Sequence, residues 1–307
     1  MAVLITGVTG FLGSHIAEKI CETGETVIGL KRANSDLARI KNLANKIILY
    51  TVDSTNISKI FFEHKIDFVI HAATSYGDIN KKNEIIASNF DLPKLLLDQC
   101  VLQNNAIKFI NISTFFCKKV DIFSLELPEK HSTYTYTKKL FEYYGLIKST
   151  NECISFLDIK LEHIYGPYDN VNNKFIPRMI KGMLTNQSEI KLTNCLQKRD
   201  FVYVKDVVDC IHKIYLKKNE IKKGFSQIEI GTGNSITVKE VLEKIKLLTK
   251  SNTILQYNSL DLCKYEVLDS FANLELLHWL DWTPQYTLEN GLINTIQQIS
   301  TLIKIKS

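Results

Sequence analysis

The chain has few of the features that mark membrane-spanning, disulfide-rich or modular proteins. No apolar run approaches the length of about 18 residues that a membrane span needs, so we expect no membrane contact. Its seven cysteines, at positions 21, 100, 117, 153, 195, 210 and 263, show no C-x-x-C spacing. An odd, scattered set of this kind argues against a disulfide or zinc framework and indicates reduced thiols in the cytoplasm.

Prolines, glycines and charge of one sign are scarce as well. The 307 residues include 5 prolines and 13 glycines, and the formal net charge of +5 is spread along the chain. We find no linker, repeat or low-complexity tract. The mild charge gives no sign of nucleic-acid binding, although it suits an anionic small substrate. The apolar segment that begins at residue 2 leaves no room for a signal peptide.

Three of the glycines concentrate where a phosphate-binding turn is expected. Residues 3–13, V-L-I-T-G-V-T-G-F-L-G, run from an apolar strand through these glycines into an apolar helix pattern. Gly7 would allow the tight turn, Gly10 the approach of a pyrophosphate, and Gly13 the packing of helix on strand. The phosphates would face the free N–H groups of the helix N-terminus. A glycine-rich turn in some other α/β protein is the alternative.

Strand and helix patterns alternate through the first half of the chain, which predicts a doubly wound parallel α/β sheet of the Rossmann type. Beyond residue 166 the pattern becomes irregular and predicts a smaller C-terminal α+β substrate lobe. Strand candidates lie at 2–6, 26–30, 47–51, 67–71, 107–112 and 154–160, with helical segments near 12–23, 56–64, 84–103 and 133–149. The expected domains are 1–165 with a returning segment 201–232, and 166–200 with 233–307.

A Tyr-x-x-x-Lys spacing supplies the main catalytic candidates. Tyr134 and Lys138 would share one helix face about 6 Å apart. A lysine ammonium there would lower the phenol pKa from about 10 towards neutrality, so that the phenol could exchange a proton near pH 7. Tyr144 and Lys148 repeat the spacing, and we favour the first pair because it lies at the start of its helix.

A hydroxyl group follows strand 107–112, which ends in N-I-S-T. The carboxyl end of a parallel strand is where a doubly wound sheet binds ligands. Thr114 would hold a substrate carbonyl oxygen beside the Tyr134 phenol, with Ser113 in reserve. Thr114, Tyr134 and Lys138, with the G-x-x-G-x-x-G spacing, resemble the short-chain dehydrogenase/reductase superfamily. The segment T-G-F-L-G resembles its extended branch, which acts on nucleotide sugars.

The resemblance implies cofactor contacts along much of the chain. Asp53 falls where the family's aspartate binds the adenine amino group, and residues 71–74, H-A-A-T, match the turn under the nicotinamide ribose. Asn89 matches an asparagine that supports the active site. The expected cofactor-binding residues are Gly7, Thr9, Gly10, Phe11, Leu12, Gly13, Lys31, Arg32, Asp53, Ser54, Ala72, Ala73, Thr74, Asn89, Tyr134, Lys138, His163 and Ile164.

The same resemblance implies substrate contacts and no metal. The segments I-Y-G-P at 164–167, K-F-I-P at 174–177 and R-D-F-V-Y-V-K-D at 199–206 are similar to the family's substrate-lobe signatures. There Arg199 would clamp the nucleotide diphosphate, because its planar fork binds phosphate oxygens in pairs. Relatives carry a second arginine near residue 263; here Lys264 would substitute for it, or the contact is absent. The expected substrate-binding residues are Ser75, Tyr76, Thr114, Phe115, Phe116, His163, Lys174, Phe175, Arg199 and Lys264.

Two phenylalanines bear on the type of reaction. Nucleotide-sugar dehydratases carry an Asp-Glu pair directly after the catalytic threonine, where this chain has Phe115 and Phe116. Phenyl rings transfer no protons, so a 4,6-dehydratase is disfavoured. The surrounding segments most resemble reductases of nucleoside-diphosphate 4-keto-6-deoxyhexoses, which serve deoxysugar and O-antigen biosynthesis. A 4-epimerase with tightly bound NAD is the alternative, and a non-catalytic NADP-binding regulator is a third. The nucleotide stays open.

The end of the second strand bears on the choice of cofactor. NAD-binding proteins place an acidic side chain there for the ribose hydroxyls, whereas this chain reads Leu30-Lys31-Arg32. Two cations at this place could meet a 2′-phosphate, and we therefore expect NADP. A solvated basic turn is the alternative.

Two helices carry more apolar residues than one core-facing stripe needs. These are the helices expected at 84–103 and 133–149, and a helix that is apolar on two sides needs two partners. The sheet would cover one side, and we expect a second copy of the chain to cover the other in a two-fold homodimer. Burial by the C-terminal lobe is the alternative.

Overall fold

A single seven-stranded sheet organises the first half of the molecule. In the computed structural model, which describes residues 2–52, 54–76, 81–103, 106–119, 133–262 and 266–306, the strand order is β11-β6-β5-β4-β1-β2-β3. Chain order runs outward from β1 in both directions, so the sheet is doubly wound and the predicted fold class is confirmed. Its strands are β1 Ala2–Thr6, β2 Thr26–Lys31, β3 Ile47–Thr51, β4 Ile66–His71, β5 Lys108–Ile112, β6 Ser155–Leu161 and β11 Gly224–Ile230.

The strands are apolar because helices cover both faces of a parallel sheet. All five residues of β1 are buried, and β1 pairs in parallel with β2 and with β4. On one face the Phe109 and Phe156 rings stack at 5.5 Å, and Phe141 meets Phe156 edge-on at 5.7 Å. A Cβ at Gly145 would lie 2.3 Å from the Phe156 ring, so this glycine sets how closely its helix approaches the sheet.

The helix expected at 84–103 is not continuous. It begins as an α-helix, widens into a π-helical turn at Ala87–Asp91, and resumes as an α-helix. Pro93 has no N–H to donate to the preceding turn, and a wider turn accommodates this. The helices are α1 Phe11–Cys21, α2 Ser54–Glu63, α3 Lys82–Ile86, α4 Leu92–Gln103, α5 Thr133–Glu152, α6 Phe175–Leu184, α7 Val204–Leu216, α8 Val238–Thr249 and α9 Leu288–Lys306.

The chain divides into two compact units. The first unit comprises Met1–Leu161, Val208–Glu229 and Leu276–Leu280, and the second unit comprises Glu162–Val207, Ile230–Glu275 and Asp281–Ser307. Segments 162–165, 201–207 and 230–232, which we expected in the cofactor domain, lie in the second unit, and segment 276–280, which we expected in the substrate lobe, lies in the first unit. Strands β7 His163–Tyr165 and β10 Phe201–Tyr203 pair with each other in a two-stranded sheet that is separate from the seven-stranded sheet.

In its described residues, the second unit contains short paired strands, the helices α6, α8 and α9, and the start of α7. Thr237 begins α8 with a capping box: its hydroxyl accepts from the Glu240 N–H while the Glu240 carboxylate accepts from the Thr237 N–H. Across the described residues of both units, no helix has the length and apolarity to span a bilayer. The short strands are β7 His163–Tyr165, β8 Glu189–Lys191, β9 Lys198–Arg199, β10 Phe201–Tyr203, β12 Ile236–Thr237 and β13 Ile254–Gln256.

Candidate active site

The glycine-rich loop after β1 forms a tight cradle. Gly7 adopts a φ of +66°, and a Cβ on it would lie 2.7 Å from the backbone nitrogen of Ala73. A Cβ on Gly13 would lie 2.1 Å from the Gly7 carbonyl oxygen. Helix α1 begins after Gly10, which has no capping side chain, and its first turn carries no acidic residue. Its first N–H groups thus have no side-chain cap, which suits a dinucleotide pyrophosphate.

The end of β4 lies against this cradle. The Thr6 hydroxyl accepts a hydrogen bond from the Ala73 N–H at 3.0 Å and is hydrogen-bonded to Nδ1 of His71 at 2.9 Å. Burial, and then the nearby Lys138 ammonium, hold the pKa of His71 well below its usual value. His71 is therefore a neutral ring that fixes Thr6, and Thr6 fixes the backbone that Gly7 approaches.

Asn89 ties the segment after β4 to helix α5. Its Oδ1 accepts from the Ser75 N–H at 2.9 Å, and its Nδ2 donates to the Ser75 carbonyl at 2.9 Å. The same Nδ2 lies 3.4 Å from the Thr137 hydroxyl, which in turn donates to the Tyr134 carbonyl. The π-helical turn therefore aims Asn89 at two backbone segments that border the site.

Thr114, Tyr134 and Lys138 come together at the carboxyl end of β5. The Thr114 side chain lies close enough to the Tyr134 phenol to lower its pKa, and Tyr134 and Thr114 are both buried, at 9% and 5% exposure. Lys138, 1% exposed, donates from Nζ to the Ile112 carbonyl at 2.9 Å. The Tyr76 ring lies 4.9 Å from the Tyr134 ring. A proton donor, a hydroxyl and a buried amine thus meet where parallel sheets bind ligands.

The expected lowering of the Tyr134 pKa is wrong for this structure. Burial, and then the nearby Tyr76, raise the pKa of Tyr134 well above its usual value, and the nearby Thr114 side chain only opposes this. Lys138 does not reverse it, because its own burial lowers its pKa to about 8 and its ammonium is directed at the Ile112 carbonyl. The phenol is accordingly protonated at neutral pH.

The second Tyr-x-x-x-Lys pair, Tyr144 and Lys148, binds a carboxylate on helix α4. The Tyr144 hydroxyl donates to Asp98 at 2.5 Å, and Lys148 Nζ lies 3.5 Å from the same carboxylate. Lys94 donates to Asp98 at 3.0 Å. This cluster joins α5 to α4 through one carboxylate, away from Thr114.

Basic side chains follow β2. Lys31 ends the strand, and Arg32 and Ser35 form a tight turn in which the Arg32 N–H donates to the Ser35 hydroxyl. Arg39, which sequence reasoning missed, donates from Nη1 to the Thr9 carbonyl at 3.3 Å. No motif marked Arg39, because its approach to the glycine-rich loop depends on the fold of the turn at Ala38–Leu43.

In the second unit, Arg199 already has protein partners. Its Nη1 donates to the Lys198 carbonyl at 2.6 Å and its Nη2 pairs with Glu266, a residue that sequence reasoning also missed. Burial, followed by the Arg199 and Lys174 charges, lowers the pKa of His163 to about 3. His163 is therefore neutral and suits a hydrogen-bonding role better than an ionic one.

Asp200, next to Arg199, holds the turn after β11. Its buried carboxylate accepts hydrogen bonds from the backbone N–H groups of Thr232, Gly233 and Ala272, at 2.8 to 3.1 Å. Within the segment R-D-F-V-Y-V-K-D, Asp200 thus fixes the loop after β11, and its neighbour Arg199 is buried.

Some of the other expected residues lie in the first unit, some lie in the second unit, and two lie outside the described residues. Phe115 and Phe116, with ring centroids 4.0 Å apart, follow Thr114 in the first unit, while Asp53 and Lys264 lie outside the described residues. Ser54 begins α2. Within the described chain, no group of three His, Cys, Asp or Glu side chains could hold a metal ion. The expected residues in the second unit are His163, Ile164, Lys174, Phe175 and Arg199.

A family model, two relatives and a solved structure are similar to this chain. The family model described as "NAD dependent epimerase/dehydratase family" matches residues 3–231. CDP-abequose synthase of Salmonella muenchen is 31% identical over 94% of this chain and 95% of its own, and that of Salmonella typhimurium is 30% identical over 97% and 98%. The crystal structure of UDP-glucose 4-epimerase from Thermotoga maritima superposes with a TM-score of 0.84 at 24% identity, covering 99% of this chain and 100% of that one.

Proposed function

The chain belongs to the NAD-dependent epimerase/dehydratase family, and we propose that it reduces the C4 keto group of a nucleoside-diphosphate 4-keto-6-deoxyhexose with NADPH. The observation that carries this proposal is that Tyr134, Thr114 and Lys138 are all buried at the carboxyl end of β5, with the Thr114 side chain close enough to the Tyr134 phenol to lower its pKa. The similarity to two CDP-abequose synthases over nearly the whole chain supports a nucleotide sugar as substrate.

In this reaction the protein's own residues would position the keto group and donate the proton. Bound NADPH would supply the hydride to C4. Thr114 would hold O4 by a hydrogen bond, and the Tyr134 phenol would protonate O4 as the carbon–oxygen double bond is reduced. Lys138 would hold the ribose of the cofactor and stabilise the phenolate that remains.

The protonation state of Tyr134 supports reduction over epimerisation. A ketone reductase starts from the phenol, because O4 must receive a proton. A 4-epimerase starts by removing the O4 proton, for which it needs the phenolate. Burial raises the pKa of Tyr134 and so favours the starting state of the reductase. The fold similarity to UDP-glucose 4-epimerase keeps the epimerase as the second candidate.

The basic group after β2 supports NADPH as the cofactor. Lys31 and Arg32 stand at the strand end where NAD-binding proteins place a carboxylate, and Arg39 lies against Thr9 of the glycine-rich loop. Cations at this place suit a 2′-phosphate, because charge-assisted hydrogen bonds to phosphate are strong. A net reduction also consumes reducing equivalents, whereas an epimerase recycles a bound NAD.

A homodimer through α4 and α5 is part of the same proposal. Ile147 and Leu146 on α5 are 44% and 38% exposed, and Leu102 on α4 is 75% exposed. Exposed apolar side chains on two helices that contact each other suit a two-fold interface. We also infer a cytoplasmic location, supported by the free thiols at all six of the cysteines that the structure describes.

One experiment separates the candidate functions. The protein is incubated with NADPH and either dTDP- or CDP-4-keto-6-deoxyglucose, and the product sugar is identified by NMR while NADPH is followed by absorbance. A reductase consumes one NADPH per C4 alcohol formed. Because a 4-keto sugar has no C4 hydroxyl to invert, the protein is also incubated with UDP-glucose, and inversion at C4 without net NADPH consumption would identify an epimerase. Binding of NADPH with no turnover on any keto sugar would indicate a non-catalytic regulator.

A further inference from the structure

An interior strand of the sheet carries buried charges that the reaction above does not use. Asp158 and Lys160 lie on β6, 0% and 1% exposed, among the apolar residues expected in a parallel sheet. Asn111 on β5 is the register partner of Asp158, and its Nδ2 donates to Asp158 Oδ1 at 2.6 Å. Buried charges are costly unless they are paired, so these residues need a structural or functional reason.

The charges form a paired network against helix α5. Lys160 Nζ lies 2.6 Å from Asp158 Oδ2 and also contacts Glu142. Lys139 donates to the other Glu142 oxygen at 2.9 Å. Burial lowers the pKa of Lys160, but the Asp158 and Glu142 carboxylates raise it by a larger amount. The net pKa lies above the usual value for lysine, so Lys160 is charged. Every described charge of the network therefore has an opposite partner.

The network reaches Lys138. Lys138 and Glu142 are four residues apart on α5 and so share a face. The Lys138 ammonium binds the carbonyl of Ile112, which directly follows Asn111 and pairs in register with Ile159. Asp158 thus lies one register step below the strand position that Lys138 binds.

The groups around Lys138 leave Asp158 as its counter-charge. His71 on β4 is neutral, and burial raises the pKa of the Cys117 thiol to about 11, so that thiol is neutral at pH 8. Tyr134 is also protonated. After burial, which lowers the Lys138 pKa, the largest cause is a Cys117 thiolate, which would raise it, followed by the Asp158 carboxylate. Because the Cys117 thiol is neutral, the attraction comes from Asp158, while Lys160 repels the Lys138 ammonium. Of the described groups that shift Lys138, Asp158 is the only carboxylate.

We propose that Asp158, anchored by Asn111, is a positioning residue that keeps Lys138 in its charged, cofactor-binding form on the Ile112 carbonyl. The proposal rests on the proposed function, in which Lys138 holds the cofactor ribose. Asp158 acts through Lys138 and touches neither substrate nor cofactor. Its removal should therefore change the pH at which Lys138 loses its proton, and not only the stability of the fold.

The test measures NADPH affinity by fluorescence titration across a pH series. In the wild type, affinity should fall as pH rises through the Lys138 pKa of about 8, because the ammonium is lost there. Lys138→Met should remove this step. Asp158→Asn should move the midpoint down by about one pH unit, since a nearby opposite charge is lost. Glu142→Gln is the matched control: Glu142 is paired with both Lys139 and Lys160, so the loss of its charge should move the midpoint clearly less than the loss of Asp158 does.

The outcomes separate the possible failures. A pH step that persists in Lys138→Met would show that Lys138 does not bind the cofactor, and would refute the role given to it above. A step that depends on Lys138 but keeps its midpoint in Asp158→Asn, or moves equally in Glu142→Gln, would overturn the role of Asp158 alone. If Asp158→Asn does not fold, the double variant Asp158→Asn/Lys160→Met leaves Glu142 paired with Lys139. Its midpoint should still fall, by less, because the repulsion from Lys160 is lost too.

Discussion

The two Tyr-x-x-x-Lys pairs make opposite predictions for the same substitution. Tyr134→Phe removes a proton donor from a buried site and changes little packing volume. Loss of a general acid lowers turnover by about 10²–10⁴-fold, which is about 3–5 kcal/mol of transition-state stabilisation. The ring contact with Tyr76 at 4.9 Å persists in the variant, so NADPH binding and the melting temperature should change little.

Tyr144→Phe should instead act on stability alone. It removes the hydrogen bond to Asp98, but this carboxylate keeps Lys94 at 3.0 Å and Lys148 at 3.5 Å. A hydrogen bond to a charged group contributes about 1.5–3 kcal/mol, and the two remaining lysines reduce the expected loss to about 1 kcal/mol. The melting temperature should fall by a few degrees, with turnover within about twofold of the wild type.

Both variants are compared by NADPH oxidation with the keto sugar, by NADPH titration and by thermal unfolding. Kinetics at saturating cofactor separate loss of chemistry from loss of binding. Near-normal turnover in Tyr134→Phe together with loss of activity in Tyr144→Phe would refute the assignment of the proton donor. Equal loss of turnover in both variants would show that activity is sensitive to substitution at either position of α5. The assignment of Tyr134 as the proton donor would then have no support from this comparison.

Three further predictions test the cofactor cradle, the cofactor choice and the assembly. Gly13→Ala places a Cβ 2.1 Å from a backbone oxygen, and this overpacking should weaken NADPH binding at least tenfold; unchanged affinity in a titration would contradict the cradle. Replacing Lys31 and Arg32 together by Ala should weaken NADPH by about 1–3 kcal/mol more than NADH, and equal wild-type affinity for the two cofactors would count against NADP. Ile147→Glu should give a monomer in sedimentation, whereas Leu216→Lys, at another exposed site, should leave a dimer. A wild-type monomer at micromolar concentration would rule out the interface.

The parallel sheet and the glycine-rich turn after β1 could be predicted from local residue patterns. Parallel strands are buried on both faces, so they appear as short apolar runs, and helices between them repeat every 3.6 residues. Those patterns depend on neighbours along the chain, and for that reason the strands and most helices were predictable. The break in the helix at Ala87–Asp91 was not, because Pro93 within an apolar helical pattern does not reveal which turn widens.

The contacts of the polar residues depend on elements that are distant in the sequence. Spacing alone cannot distinguish Tyr134 from Tyr144, because their difference lies in partners on other elements: Thr114 for one and Asp98 for the other. The predicted direction of the Tyr134 pKa shift was wrong for the same reason, because burial depends on the whole surrounding fold.

The residues that no motif marked share this dependence. Arg39 reaches Thr9 from 30 residues away, and Asp158 reaches Asn111 from 47 residues away. A local pattern records which side chains lie on the same face of one element. It does not record which charges from distant elements meet in a low-dielectric interior, and there their interaction is strongest.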